Sequence, residues 1–277
     1  RAHRLRRVGL ELERLANHTG DLGAIAGDTG FLPTASWNGR IRGDFLNTTA
    51  CLCGNRFGRG LLRPGGTAYD LDAEGCADML ARIKAAGRDV RGAVDVMLHT
   101  ESVLERLTGT GYVSRESAQN LGLVGMAARA CGLKVDARFH FPLADLPTRD
   151  CAPRVETTGD VLARTLVRSK ELDDSLRLLE ADISTLANLP PLAEQPDAEA
   201  LASLPPDTLA VSQVEGWRGE ICHVAVTGPE GKFLAYKVID PSFHNWSGLA
   251  MALRGNQISD FPLCNKSFNL AYCGHDL

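Results

Sequence analysis

Three residues in the last stretch of the chain, DFPLCNKSFNLAYCGHDL, carry metal-ligand chemistry: Cys264, Cys273 and His275. Thiolate sulfur and imidazole nitrogen suit zinc and other transition metals. Their spacing, C-x8-C-x-H, lacks the paired C-x2-C pattern of structural zinc sites, so the tail alone does not predict a metal. A second candidate is VEGWRGE, which sets Arg218 between Glu215 and Glu220 at the start of a strand. It reads either as an ion pair fixing a loop or as a guanidinium aimed into a cleft, pre-organised by the flanking carboxylates. A third is GNRFGRGLLRPGG, which gathers Arg56, Arg59 and Arg63 among glycines. No G-x-x-x-x-G-K-[ST] is present and no G-x-G-x-x-G follows a strand, so this is neither a P-loop nor a dinucleotide fingerprint. It reads as a helix end running into a loop, or as a loop that docks a partner or an anionic cofactor.

The elements that must position these residues are mostly helices. Leu5, Val8, Leu12, Leu15, Thr19, Leu22 and Ala26 repeat at helical spacing, which predicts a first helix over about 5–26. A second is expected through GRIRGDFLNTTACLCG, broken at Gly54 and RPGG. Asp72 is a candidate N-cap for a long third helix with Met79, Ile83, Val90, Val94 and Met97 on one face. A Gly-rich stretch follows, in which Ser114 of SRES reads as a helix cap. Another long helix is expected over 160–186, its stripe of Leu172, Leu176, Leu179, Ile183 and Leu186 spaced as in a bundle. Residues 189–207 read as a Pro-rich, acidic surface loop. TLAVSQVE, EICHVAVT and FLAYKVID read as short strands, the last two joined by a GPEGK turn, with a short helix over 247–253 beyond them. The expected fold is mainly α with small β elements (α+β): a long-helix bundle with a small antiparallel sheet near the C-terminus, forming one domain over 1–277.

Composition narrows the function classes. A net charge of −4 argues against a nucleic-acid binder, which needs clustered positive charge. Eight cysteines scattered through a large core-forming chain predict a reduced, cytosolic protein with most thiols buried. No run of about 18 apolar residues predicts a membrane span. The chain starts inside a helical pattern and reads as the downstream part of a longer protein.

Five stretches occur in an order that resembles a known family: ELERLANHTGDLGAIAGDTGF, GNRFGRGLLRPGG, GTGYVSRESAQNLGLVG, VEGWRGE and DPSFHNWSGLAMALRGNQISDFPLCNKSFNL. Together they resemble the 49-kDa subunit of respiratory complex I and the large subunit of membrane-bound [NiFe]-hydrogenases, above all the formate hydrogenlyase and hydrogenase-4 branch. The resemblance spans nearly the whole chain and implies a long-helix bundle with small β elements. It also implies a site. In the hydrogenases four cysteines hold nickel and iron, one pair in an R-x-C-G-x-C upstream of the ELER helix and one in a C-terminal D-P-C-x-x-C. Placing the family's tail through Asp260–Pro262 sets that second motif onto Asn269, Leu270, Ala271, Tyr272, Cys273 and Gly274. The two ligand positions, Ala271 and Gly274, then carry no sulfur, and no metal is expected.

The resemblance further implies that Arg218 matches an arginine over the hydrogenase metals, with Trp217 in place of a preceding proline. Asn17 and Asn269 match two aspartates that pair with it in some hydrogenases, so an amide canopy replaces a charged one. Arg218, Asn17 and His18 are the expected catalytic residues. In the complex I branch a quinone approaches this cavity beside a [4Fe–4S] cluster held by a partner. There a histidine follows the G-x-R-F motif; here Gly58 and Arg59 stand at those positions. Arg56, Arg59 and Arg63 are therefore expected to face a partner's cluster. The implied role is a subunit of a complex I-like or hydrogenase-3/4-like redox complex, an oxidoreductase active only in the assembly. It would bind no cofactor itself, dock a small Fe–S subunit, a 30-kDa-like subunit and membrane-arm subunits, and sit peripherally on the inner membrane face. NAD would bind only through other subunits. The alternatives are an active [NiFe]-hydrogenase large subunit and a non-catalytic assembly scaffold.

Overall fold

The computed structural model describes residues 1–142, 152–192 and 204–276. Two long helices open the chain, α1 (Ala2–Asp28) and α2 (Leu32–Cys53), packed as an antiparallel hairpin. Small residues allow their close approach. A Cβ at Gly23 would lie 2.8 Å from the Asn38 Cβ. α2 begins seven residues before the stretch expected from sequence, because Pro33 in its first turn needs no N–H partner. It ends at Gly54, whose φ of +70° closes the helix in the left-handed conformation.

A two-residue hairpin, β1 (Leu62–Arg63) and β2 (Gly66–Thr67), is tied to α1 by Arg6, which donates to the carbonyls of Arg63 and Gly66. α3 (Ala73–Leu98) starts at Asp72, whose side chain accepts from the Gly75 N–H at 2.7 Å, as the capping pattern predicts. Short helices follow: α4 (Glu101–Leu107), α5 (Arg115–Asn120), α6 (Gly125–Ala130) and α7 (Ala137–His140). Ser114 caps α5 by accepting from Ser117 N at 3.0 Å. α8 (Val161–Leu186) is capped by Asp160. The 189–207 loop lies mostly outside the described residues.

β3 (Leu209–Glu215), β4 (Glu220–Thr227) and β5 (Phe233–Ile239) form an antiparallel sheet in sequence order, at the positions expected. α9 (Pro241–Ala252) starts six residues earlier than its apolar run suggests, because Asp240 caps it and Pro241 occupies its first position. α10 (Phe261–Phe268) and α11 (Tyr272–His275) close the described chain. The fold is thus mainly α with small β elements.

Two cores meet on α8. One lies between α1, α2, α3 and α8, with Leu12, Ile41, Ile83 and Leu176 fully buried. The other lies between α6, α9 and α10 and the first turns of α8, around Ala163, Val167 and Phe268. α8 therefore carries side chains from one core to the other. Among the described residues no helix is long and apolar enough to cross a membrane.

Candidate functional site

Between α1 and α8 the apolar packing gives way to buried charge. His18, Asp21, Arg168 and Glu171 are all at or near zero exposure. They form two rungs of one ladder, three residues apart on each antiparallel helix. On one rung His18 Nε2 lies 2.9 Å from Glu171 Oε2. On the other Arg168 Nε donates to Asp21 Oδ2 at 2.9 Å.

The Glu171 rung is the centre of a closed cluster. Arg129 of α6 reaches Glu171 at 2.7 Å and Glu215 at 2.7 Å. Glu215 also accepts from the Ala137 N–H at 2.9 Å. Arg138 pairs with Asp136 at 2.6 Å. Arg14 donates to Glu11 and to the carbonyls of Glu215 and Gly216. Burial by itself would raise the Glu171 carboxyl, but Arg129, the His18 bond and Arg138 hold it well below its ordinary range. Burial pushes His18 down and keeps it neutral, against the pull of Glu171. The bond to a carboxylate requires hydrogen on Nε2, so Nδ1 is an acceptor, and it has no partner among the described residues.

The Asp21 rung leads outward. Asn269 lies after α10 with φ +49°, a left-handed turn that asparagine tolerates. Its side chain donates to Asp21 Oδ1 at 2.6 Å, and its carbonyl accepts from Arg218 Nε. The Arg218 guanidinium lies 3.7 Å over the Trp217 ring. The backbone that carries it is wedged against α6: a Cβ at Gly125 would come within 2.2 Å of Gly219 Cα and 2.3 Å of Arg218 O. Burial lowers the Arg218 pKa, opposed by the charges of Asp21 and Asp240.

The expected flanking pairs are therefore not formed. Glu215, expected to hold Arg218, turns inward to Arg129, because a strand alternates its faces and α6 and α7 cover that one. The expectation of an all-amide canopy is also corrected. Glu13, Asn17 and Asp21 recur every four residues along one face of α1, and the charge of Arg218 reaches both carboxylates. Asn17 lies between them and donates to its own helix at Glu13 O. The canopy keeps a carboxylate one turn beyond the residue matched by sequence. His18 points away from Arg218 into the Glu171 cluster. No signal in the sequence picked out Asp21, Arg168 or Asp240; for Asp21 and Arg168 the trace is a charged residue inside a long helix.

The three tail residues do not converge. Cys264 is fully buried against Arg164 and Gly111, whereas Cys273 is exposed near Arg218. His275 stacks on Phe243 at 5.7 Å. At Gly274 a Cβ would fall 2.5 Å from Asp240 Cγ, and Asp240 is held there by capping α9. Ala271 offers only its N–H, which donates to Ser242 Oγ. Neither Ala271 nor Gly274 carries sulfur, and a side chain at 274 would have to displace Asp240.

Arg56, Arg59 and Arg63 lie on the loop and short hairpin after α2. Asn55 shapes the loop by accepting from Phe57 N and Arg59 N. All three arginines are exposed and have no ion-pair partner among the described residues. Phe57 and Leu62 beside them are 69% and 63% exposed.

A helical bundle with a buried ionic ladder and one outward-facing arginine defines a scaffold that holds polar groups in its interior. Comparison with known proteins places it. Residues 28–203 match the family described as "Respiratory-chain NADH dehydrogenase, 49 Kd subunit". The chain is 31% identical over 276 residues to hydrogenase-4 component G of Escherichia coli, covering 98% of this chain and 45% of that protein. It is 29% identical to formate hydrogenlyase subunit 5 of the same organism, covering 98% and 47%. It is also 29% identical to an NADH-quinone oxidoreductase subunit of Herpetosiphon aurantiacus, covering 98% and 73%. The chain belongs to the complex I 49-kDa subunit family. It spans about half the length of the first two of these relatives. Its fold is that of a chain in the membrane-bound sulfane sulfur reductase, an archaeal respiratory membrane complex: TM-score 0.84, 24% identity, 100% of this chain and 75% of that one.

Proposed function

We propose that this chain is a subunit of a membrane-associated redox complex of the complex I or hydrogenase-3/4 type, without nickel ligands in its tail. It docks an Fe–S subunit and a 30-kDa-like subunit, lies on the inner membrane face against membrane-arm subunits, and shapes a cavity for a quinone or another acceptor beside Arg218. The observation that carries this reading is the corner itself: Arg218 is held by Asn269 and Trp217 where positions 271 and 274 supply no sulfur. The electron chemistry belongs to cofactors in partner chains, and this chain contributes position and field. Any NADH oxidation belongs to other subunits, because no dinucleotide fingerprint is present.

Two surfaces support docking. The loop of Arg56, Phe57, Arg59, Leu62 and Arg63 combines unpaired positive charge with exposed apolar side chains. The β3–β4–β5 sheet leaves Leu209, Val211, Phe233, Leu234 and Tyr236 more than half exposed. A three-stranded sheet gains its stability by packing a face, so this one fits a covering partner.

The test is reconstitution with the Fe–S subunit. Positive charge near a cluster favours its reduced form, so Arg59→Ala lowers the cluster potential in a redox titration. An unchanged potential removes that role. Stoichiometric nickel in the intact complex, with H2/D2 exchange, would overturn the reading.

A further inference from the structure

The guanidinium groups here differ in how many of their nitrogens are bonded among the described residues; the fully buried Arg129 and Arg168 leave nitrogens without a hydrogen bond. Arg164 is satisfied on every nitrogen: Nε donates to Ser267 Oγ at 2.9 Å, Nη1 to Gly159 O at 3.1 Å and Nη2 to Gly111 O at 2.9 Å, with the Phe268 ring 4.4 Å away. Arg14 likewise spends its three nitrogens on Glu11, Gly216 and Glu215. Arg218 spends one. Its Nε is used on Asn269 O, and no partner for either Nη lies among the described residues.

Asp21, Asp240 and Glu13 are the carboxylates whose charge Arg218 feels, and among the described residues the Glu13 side chain has no bonded partner. Asp21 takes Arg168 Nε and Asn269 Nδ2. Asp240 accepts from Ser242 N and is pressed against Gly274. Neither lies within ion-pair distance of Arg218. Behind them Arg168, fully buried, has no partner for its Nη1 among the described residues, and its charge reaches Arg218. Among the described residues the two Nη of Arg218 and Nη1 of Arg168 have no hydrogen-bond partner, and no carboxylate lies within ion-pair distance of Arg218, although the charges of Asp21, Asp240 and Glu13 reach it. Arg218 is half-buried, and a ring stack and a carbonyl bond keep it in place.

We propose that the free fork of Arg218 is a binding site for a small oxyanion, a ligand presenting a carboxylate or phosphate group. The planar fork matches two oxygens with two parallel bonds, and lysine cannot reproduce this. Trp217 fixes the plane of the fork before the ligand arrives, which removes part of the ordering cost. Arg168 adds long-range positive potential without taking up ligand bonds already spent on Asp21. Resting on the reading of this corner as the acceptor cavity, the inference narrows the acceptor to a compound that carries, or gains on reduction, an anionic oxygen.

The test uses the full chain without partners, with inorganic phosphate and acetate as probes and potassium chloride at matched ionic strength as control. The stack puts the reporter beside the site, so tryptophan emission is followed, and Trp217→Phe assigns the signal. Saturable changes with phosphate and acetate, absent with chloride, are expected. Arg218→Ala and Arg218→Lys are each expected to bind about tenfold more weakly or worse, since a charge-assisted bond is lost. Arg254→Ala, an exposed arginine past the end of α9, is expected to bind as the parent does. Equal titration of the Arg218 variants and the parent, an equal effect of chloride, or no saturable change overturns the site. If Arg218→Ala fails to fold by circular dichroism, the lysine variant decides. Loss of this binding leaves the docking reading standing, and failure to reconstitute with an Fe–S subunit leaves the anion site standing.

Discussion

Two rungs of one helix pair do opposite things with the same chemistry. At His18 and Glu171 the charges face inward and are met by Arg129, Arg138 and Arg14, so three arginines close on a ring of carboxylates. One turn away, at Asp21 and Arg168, the ladder opens through Asn269 to Arg218, whose two Nη have no hydrogen-bond partner among the described residues. The first rung fixes how α1, α6, α7, α8 and β3 sit against one another. The second aims a side chain outward from that fixed frame. Rigidity one turn away is what lets a half-buried cation remain uncommitted without collapsing onto a neighbour.

The sharpest way to break this comparison is to remove the centre of the closed rung. Glu171→Ala strands Arg129, Arg138 and His18 in a dry interior. Removing one partner of a buried pair costs about 3–5 kcal/mol, and urea unfolding is expected to show a loss of that size. A loss under about 1 kcal/mol would mean the cluster is hydrated rather than closed.

A smaller effect is expected at the wall of the open corner. Gly125 has φ +63° and no room for a Cβ against the backbone of Arg218 and Gly219. Gly125→Ala combines left-handed strain of about 1–2 kcal/mol with displacement of that backbone. The expected result is about 2–3 kcal/mol in urea and a changed near-UV signal from Trp217. Gly54→Ala, at φ +70° with open space around it, isolates the strain alone and is expected to cost about 1 kcal/mol.

Much of the frame was legible in the sequence. Asp72 and Asp160 marked helix starts because a cap is a local device, written in one residue and its next three. The strands over 209–239 were legible because alternation and the GPEGK turn are local as well. The starts of α2 and α9 were missed where a proline in the first turn lies outside the apolar repeat. The corner was only half legible. Arg218 stood out in VEGWRGE, but its partner Asn269 lies 51 residues away and Asn269 is in turn held by Asp21, and no spacing rule connects such positions. Glu215 was paired with the wrong arginine for the same reason: adjacency in sequence says nothing about which face of a strand meets α6.

The closed rung also makes a pH prediction. His18 is held neutral with its pKa below the ordinary value near 6.5, so the unfolded chain binds a proton that the folded chain does not. Stability is then full above about pH 6.5 and falls as the pH drops from there toward the folded pKa. The slope contributed by one such proton is at most about 1.4 kcal/mol per pH unit. Urea midpoints measured from pH 7.5 to 5.5 are expected to fall in the parent and to fall less steeply in His18→Gln. Equal slopes in the two proteins would mean that His18 is protonated in the fold. Glu171 does not confuse this window. Its pKa lies well below the usual range, so its contribution is lost only at pH values under about 4.3.

The smallest stability effect is expected where a functional residue would be sought first. Arg218→Ala removes one bond to a carbonyl that Asn269 keeps in place by its own bond to Asp21, and one ring stack. A single bond of this kind is worth about 1 kcal/mol net, and an accessible cation–ring contact about 0.5–1 kcal/mol. Against this, half-burial of an unpaired cation is itself unfavourable, and its removal returns part of the loss. The net change expected in urea is therefore within about 1 kcal/mol of zero. Arg164→Ala should behave quite differently: it orphans Ser267 and the carbonyls of Gly159 and Gly111 in a dry core and belongs with the large effects. A pair of variants in which Arg164→Ala unfolds the chain and Arg218→Ala leaves it standing would separate an arginine that builds the fold from one that the fold presents. If Arg218→Ala costs as much as Arg164→Ala, the corner is a closed rung like its neighbour, and its fork has a partner within the chain.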